Sequence, residues 1–204
     1  RDTLEKILAD EKKICTEYAI GLVDERVRIA AEILNEYERL STEDILKRLR
    51  IEYLIGDARN LSLQDNGVDL VNSNNTFEHV PPDVLVTILK EFKRVVKKGH
   101  GVMSHFIDMS DHFAHFDKSI TIYNFLRYSD RKWKRIDNRI QPQNRLRIYD
   151  YHNMYQKLGI PVTEESFRKG KPEELKALMP NEKYLTRPLE ETAISHCHFI
   201  SLMK

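Results

Sequence analysis

The sequence predicts an open α/β sheet, on three observations. Two short apolar runs, residues 51–55 and 68–73, are β-branched and bounded by turn residues. Runs this brief read as buried strands rather than helices. Each ends in a polar cluster, Gly56-Asp57-Ala58 after the first and Asn72-Ser73-Asn74-Asn75 after the second. A well-signalled helix and a third strand, residues 101–107, follow. Strand, strand, helix, strand, with polar residues at the strand ends, is the pattern of a sheet whose ligands sit outside the carboxyl ends of its strands.

Taken in order, residues 1–50 read as helix. Leu4, Ile7, Leu8, Ile14 and Tyr18 suit one amphipathic segment, and Val23, Val27, Ala30, Ala31, Leu34 and Tyr37 suit a second after Gly21. Ser41 is placed to cap a third helix, with Asp44 three residues on as a short capping-box partner. Asp65-Asn66-Gly67 is a turn signal before the Val68 strand. The next helix opens at Pro81-Pro82, where a missing N–H costs little. Val84, Leu85, Ile88, Leu89, Phe92, Val95 and Val96 form its apolar stripe. Lys97, Lys98 and a left-handed Gly99 are expected to close it. Residues 108–156 are irregular and aromatic, with helical pieces at 120–128 and 150–158. Gly159-Ile160-Pro161 stops the last of these. A strand at 162–167, a short helix at 172–179 and a final strand at 193–202 complete the reading as a single domain, 1–204.

Composition sets limits. With 41% hydrophobic and 32% charged residues, the 204-residue chain can bury one sizeable core. A formal net charge of +1 argues against bulk attraction to nucleic acid or membrane. No apolar run approaches the roughly 20 residues that span a bilayer. Cys15 and Cys197 stand far apart, which suits a reduced, cytoplasmic protein.

The ordered words GDA (56–58), DNGVDLV (65–71), FEHV (77–80) and FKRVVKKGHGV (92–102) resemble the second half of class I S-adenosylmethionine-dependent methyltransferases of the type 11 kind. The stretch HFIDMSDHFAHFDKS through QNRLRIYDYHNMYQKLGIPV resembles a subgroup found with glycan and small-molecule pathways. The resemblance implies a Rossmann-like methyltransferase sheet with N-terminal helices and a mostly helical or irregular insertion, 108–156, over the active site. It implies S-adenosyl-L-methionine as cofactor, with Asp57 and Ala58 near its adenine and Asn74 beside its methionine end. The family binds that cofactor mainly through a glycine-rich turn. This sequence holds only 7 Gly, none arranged as G-x-G-x-G, and its first residue is Arg1. The expectation is therefore that the chain begins inside a larger protein, after that turn.

Several side chains are candidates for chemistry. Methyl transfer from a sulfonium needs donor and acceptor held close and, for some acceptors, a base. Asp57 can instead cap the turn that follows it, and Asn74 can bond its own backbone. His79 is a candidate base, against a packing or capping role. His105 and Asp108, at the end of the third strand, are a candidate base with its orienting acid. With His112 they also compose a two-histidine, one-carboxylate set. Their spacing matches no metal motif, so no metal is expected there. His196 and His198 flank Cys197 on a strand and read as exposed polar positions.

Residues 127–147 carry eight basic and two acidic side chains. They can meet a phosphate or carboxylate, bind nucleic acid, or form a solvated face. Asn144, Arg145 and Arg147 match the NRLR of the subgroup and, with His112, are expected to face substrate or anchor the insertion. The expected activity is methyl transfer to an oxygen or nitrogen of a small molecule, with a sugar or glycan precursor among the candidates. The alternatives are a non-catalytic methyltransferase-like partner protein and a nucleic-acid-binding module built on 127–147. A small-molecule acceptor is the expected partner; neither membrane nor nucleic acid is.

Overall fold

The structure, a computed structural model, describes residues 23–138 and 140–204. The helical segment expected around Leu4 to Tyr18, and Cys15 with it, lies outside these residues. The chain divides into two compact units, Arg1–Ile55 and Gly56–Lys204.

In the first unit, α1 (Val23–Glu36) and α2 (Thr42–Arg48) are joined by a 3-10 turn, Tyr37–Arg39. Ala30 and Ile33 are buried on α1. The expected cap at Ser41 is a full capping box. The Asp44 N–H donates to Ser41 Oγ at 3.1 Å, and the Ser41 N–H donates to Asp44 Oδ2 at 3.1 Å. Arg26 reaches the Leu49 carbonyl at 2.8 Å and ties α1 to the end of α2.

The first expected strand does not form. Residues 51–55 make no ladder among the described residues, and Tyr53 and Ile55 are 75% and 92% exposed. A strand exists only with a neighbour to take its N–H and C=O groups, and an apolar run does not specify that neighbour.

The second unit holds one sheet in the order β1-β2-β4-β3. Its strands are β1 (Leu70–Asn74), β2 (Val102–Asp108), β3 (Glu164–Arg168) and β4 (His196–Leu202). β1 and β2 are parallel, with Ser73 opposite His105. The connection between them is α3 (Pro82–Val95), as a parallel pair requires. β4 runs antiparallel to both of its neighbours. β3 is an edge strand whose residues are all exposed. Its Glu164, Glu165 and Arg168 are charges of the kind that discourage further pairing on an edge.

α3 begins at Pro82 and buries Leu85, Leu89 and Val95. It ends at Val95, earlier than expected, because Val96 leaves the helix for a bridge to Val68. Gly99 takes φ +88 in the turn beyond and does not cap the helix. After the insertion come α4 (Asp130–Ile136), α5 (Ile148–Leu158), α6 (Pro172–Ala177) and α7 (Leu189–Thr192). α5 stops at Gly159, which adopts the left-handed φ of +59 that glycine tolerates best.

Two apolar clusters hold this unit. Leu85, Leu89, Met103, Ile107, Tyr151, Tyr155 and Phe199 join α3 and α5 to the sheet. Tyr123, Phe125, Leu126, Trp133, Leu175 and Tyr184 form a second core under the insertion. The insertion is therefore packed and hydrogen-bonded rather than loosely draped. Trp133 Nε1 donates to the Gln143 carbonyl at 3.0 Å, and Gln143 Nε2 donates to the Ser110 carbonyl at 2.9 Å. No helix among the described residues is long and apolar enough to cross a membrane.

Candidate active site

The carboxyl ends of β1 and β2 carry a concentration of ionisable groups. Asp108 is the last residue of β2 and is 8% exposed. Three imidazoles face its carboxylate: His196 Nε2 at 3.4 Å, His112 Nε2 at 3.5 Å and His115 Nε2 at 3.8 Å. The Ser110 N–H also donates to Asp108 Oδ1, at 2.8 Å. Burial works to raise the pKa of Asp108. The imidazoles of His112 and His196, together with Ser110, outweigh it and hold the acid ionised. The carboxylate in turn raises the pKa of His112.

His196 arrives here from β4, because the antiparallel register sets it opposite Asp108. His112 and His115 belong to a 3-10 turn, His112–His115, opened by Asp111. His112 and His196 are largely enclosed, whereas the His115 side chain is 55% exposed. A small cleft of about 50 Å³ lined by His112, Phe113, Phe116, Gln141 and Gln143 opens beside them.

The turn after β1 brings in Glu78 and His79. Glu78 is 3% exposed, and neither of its carboxylate oxygens has a hydrogen-bond partner. Burial pushes its pKa up to about 7, and the charge of Asp108 adds to the shift. His79 Nδ1 lies 2.7 Å from the Pro142 carbonyl, to which it can only donate. In the neutral ring that bond places the hydrogen on Nδ1 and makes Nε2 the acceptor. The rings of His79 and His112 meet edge to face, with centroids 4.9 Å apart.

The structure does not join His105 to Asp108. Side chains three apart on a strand point to opposite faces. His105 is fully buried, stacked on Phe77 at 4.4 Å, with Nδ1 2.7 Å from Ser73 Oγ. Burial, helped by His198, lowers its pKa to about 3. It is a core histidine and is not placed to serve as a base or as part of the expected ligand set. A pH dependence of stability follows. The unfolded chain binds this proton near pH 6.5, whereas the folded chain binds it only near 3. Stability from this group is therefore full above about pH 6.5 and falls as pH drops towards 3. Urea unfolding of His105→Gln across that window should show a shallower fall than the wild type; an unchanged slope would contradict the assignment.

Arg147 and Arg145 are likewise structural, which corrects the expectation that they face substrate. Arg147 is fully buried and donates to the carbonyls of Thr192, Met109 and Ile194. Arg145 is 5% exposed, donates to the carbonyls of Phe125 and Tyr128, pairs with Asp130 at 2.6 Å and lies over the Trp133 ring. Asn144 Nδ2 bonds the carbonyls of Phe77 and Val80 at 2.7 and 2.9 Å. It thereby fixes the turn that carries Glu78 and His79. Asn144 and Arg145 line part of a cavity of about 340 Å³, but their polar groups are already committed to these bonds. All three are the insertion anchors that the sequence offered as the other reading. With two of its arginines buried and Asp130 paired to Arg145 and Lys183, the 127–147 stretch presents less free charge than its composition suggests.

Asp57, Ala58 and Asn74 make local bonds or none, and share no hydrogen bond with one another. Arg59 holds both carboxylate oxygens of Asp57, at 2.6 to 3.0 Å, and lowers its pKa to about 2. Asn74 ends β1 with an exposed side chain, and its carbonyl accepts from Thr76 Oγ1. No hydrogen bond connects the two, and none of the three residues lines the cavities found.

Sequence reasoning did not single out Glu78, His115 or His196 as site residues. The signal for Glu78 was its position beside His79 in the turn after a strand; its burial is a tertiary fact. For His196 the signal was its alternation with Cys197, which required the strand register to interpret.

Comparison with known families agrees with this architecture. Residues 9–103 match the methyltransferase domain family. A SAM-dependent methyltransferase of Methanosarcina mazei is similar in fold, with a TM-score of 0.50, 13% identity and 80% and 78% of the two chains covered. A SAM-dependent methyltransferase, possible histamine N-methyltransferase, from Thermotoga maritima aligns at a TM-score of 0.45 and 18% identity, covering 79% and 68%. No curated protein matches the sequence significantly. The family match spans just under half of the chain, and the likeness to the Methanosarcina mazei structure is one of fold: a mixed α/β domain with a Rossmann-like sheet.

The described residues fit the cofactor in part. Asn74 and the Asn75 beside it are exposed at the carboxyl end of β1, where amide groups can meet an amino acid moiety. Asp57 is already occupied by Arg59, so its carboxylate is not free for an adenine amine without breaking that pair.

Proposed function

We propose that the chain transfers a methyl group from S-adenosylmethionine to an oxygen or nitrogen of a small molecule, at the cluster around Asp108. A hydroxyl-bearing sugar or glycan precursor is the acceptor class we favour. The carrying observation is the convergence of Asp108, His112, His115 and His196 at the carboxyl end of β2. Ligands of open α/β sheets bind at that end. When bound, the cofactor supplies an electrophilic methyl group on a sulfonium.

The residues of this chain supply the rest. His115 is the exposed imidazole of the three and serves as base, taking the proton of the acceptor's hydroxyl or amine at Nδ1, the nitrogen that does not face Asp108. Asp108 orients that ring and stabilises its charged form, as a buried acid does for a catalytic histidine. Phe113 and Phe116, 44% and 84% exposed, offer apolar surface beside Gln141 and the histidines. Such a mixed surface suits an acceptor with both apolar and hydrogen-bonding faces. Asn74 is the residue that would hold the methionine end of the cofactor.

Isothermal titration of the protein with S-adenosylhomocysteine tests the cofactor half of this reading. Binding that weakens at least several-fold in Asn74→Ala is expected. No heat at millimolar ligand would count decisively against it.

A further inference from the structure

We infer that Glu78, His79 and His112 form a site for a first-row divalent transition cation. One carboxylate oxygen and two imidazole nitrogens from these residues all lie within 4.8 Å of one another. The residue types match the two-histidine, one-carboxylate set that suits Zn²⁺, Mn²⁺ or Co²⁺ better than the oxygen-rich shells of Mg²⁺ or Ca²⁺.

Two further observations point to a ligand. Glu78 is almost wholly buried, yet both carboxylate oxygens are without a hydrogen-bond partner. Burying such a group without compensation is costly, and a cation would supply the missing partner. Second, a hydrogen bond fixes the His79 ring. Its Nδ1–H donates to the Pro142 carbonyl, which leaves the Nε2 lone pair available. A backbone carbonyl on the distal nitrogen is the usual device for fixing a metal-binding imidazole. The Nδ1 of His112 lies 3.2 Å from the Gln141 side-chain amide. Rotating that amide presents its oxygen, which accepts from Nδ1–H and frees Nε2.

Asp108, His112 and His115 make a second possible triad that shares His112. One histidine nitrogen serves one cation, and the Glu78 set is favoured. Asp108 already accepts from the Ser110 N–H and faces three imidazoles, whereas Glu78 has no other partner. This set differs from the one suggested by sequence, in which His105 and Asp108 stood where His79 and Glu78 now stand. A histidine bound to a cation is not a base, which is consistent with giving the proton to His115. The binding claim does not rest on the methyl-transfer reading, and its test measures the cation alone.

The test is titration of the chelator-treated protein with Co²⁺, followed by its visible absorption and by displacement with Zn²⁺. One Co²⁺ per chain is expected. Glu78→Gln, His79→Gln and His112→Gln should each weaken binding at least tenfold, and His100→Ala, on an exposed turn elsewhere, should leave it unchanged. If Glu78→Gln does not fold, the partly exposed His79 position carries the comparison. Absence of a visible band in the wild type at millimolar Co²⁺ overturns the site. So does a band of equal strength and affinity in the folded ligand variants.

Discussion

Arg147→Met is expected to lower stability by roughly 3–5 kcal/mol. The guanidinium is fully buried and donates to three carbonyls, of Met109, Thr192 and Ile194. Met109 follows the end of β2, and Thr192 and Ile194 lie just before β4. One side chain at the start of α5 therefore closes the gap where β2 leaves the sheet and β4 enters it. Methionine fills much of the volume but donates nothing, so three buried acceptors lose their partner. Each orphaned group costs about 1–3 kcal/mol, with partial rehydration reducing the sum. Arg147→Lys should recover only part of the loss, because an ammonium cannot reproduce the planar fork. Urea unfolding at neutral pH checks this. A loss below about 1 kcal/mol would mean that the carbonyls find other donors and that the anchor is dispensable.

Asp108→Asn is the second large effect. Methyl transfer should fall about 10²–10⁴-fold with the fold retained, the range typical of lost general acid–base assistance. The carboxylate faces three histidines, and its negative charge is what raises the pKa of His112. An amide of the same shape carries no charge and can donate where the carboxylate only accepts. The rate should therefore drop while affinity for S-adenosylhomocysteine stays within about threefold, since the role proposed for Asp108 is on the acceptor side. Unequal losses, with cofactor affinity falling as far as the rate, would place Asp108 in donor binding instead.

Most of the sheet was legible because its signals are local. The strands at 68–73 and 101–107 carry β-branched residues between turns, and they form as Leu70–Asn74 and Val102–Asp108. The Pro81-Pro82 entry, the Ser41 cap and the Gly159 stop act within one helical turn, so no tertiary knowledge was needed. Residues 51–55 failed for the opposite reason. Their composition is that of a strand, but pairing belongs to a partner that the run itself does not name.

The site was legible only in part. Asp108, at the end of β2, and His112, four residues on, could be found by type and place. Pairing Asp108 with His105 ignored the two-residue period of a strand, which sends the two side chains to opposite faces. The arginines of NRLR look like substrate ligands by charge, yet they satisfy carbonyls that come from 17 to 47 residues away in sequence. Glu78 depends on how the turn after β1 folds against Asn144, a contact between residues far apart in the chain.

The central claim is that Asp108 and His115 act as one unit on the acceptor. A double-mutant cycle in kcat tests it most directly, using labelled S-adenosylmethionine and a panel of small hydroxyl and amine acceptors. If the two residues work together, Asp108→Asn, His115→Gln and the double variant should all lose activity to about the same level, within roughly threefold. Losses that multiply in the double variant, or a His115→Gln enzyme as fast as the wild type, would contradict the account.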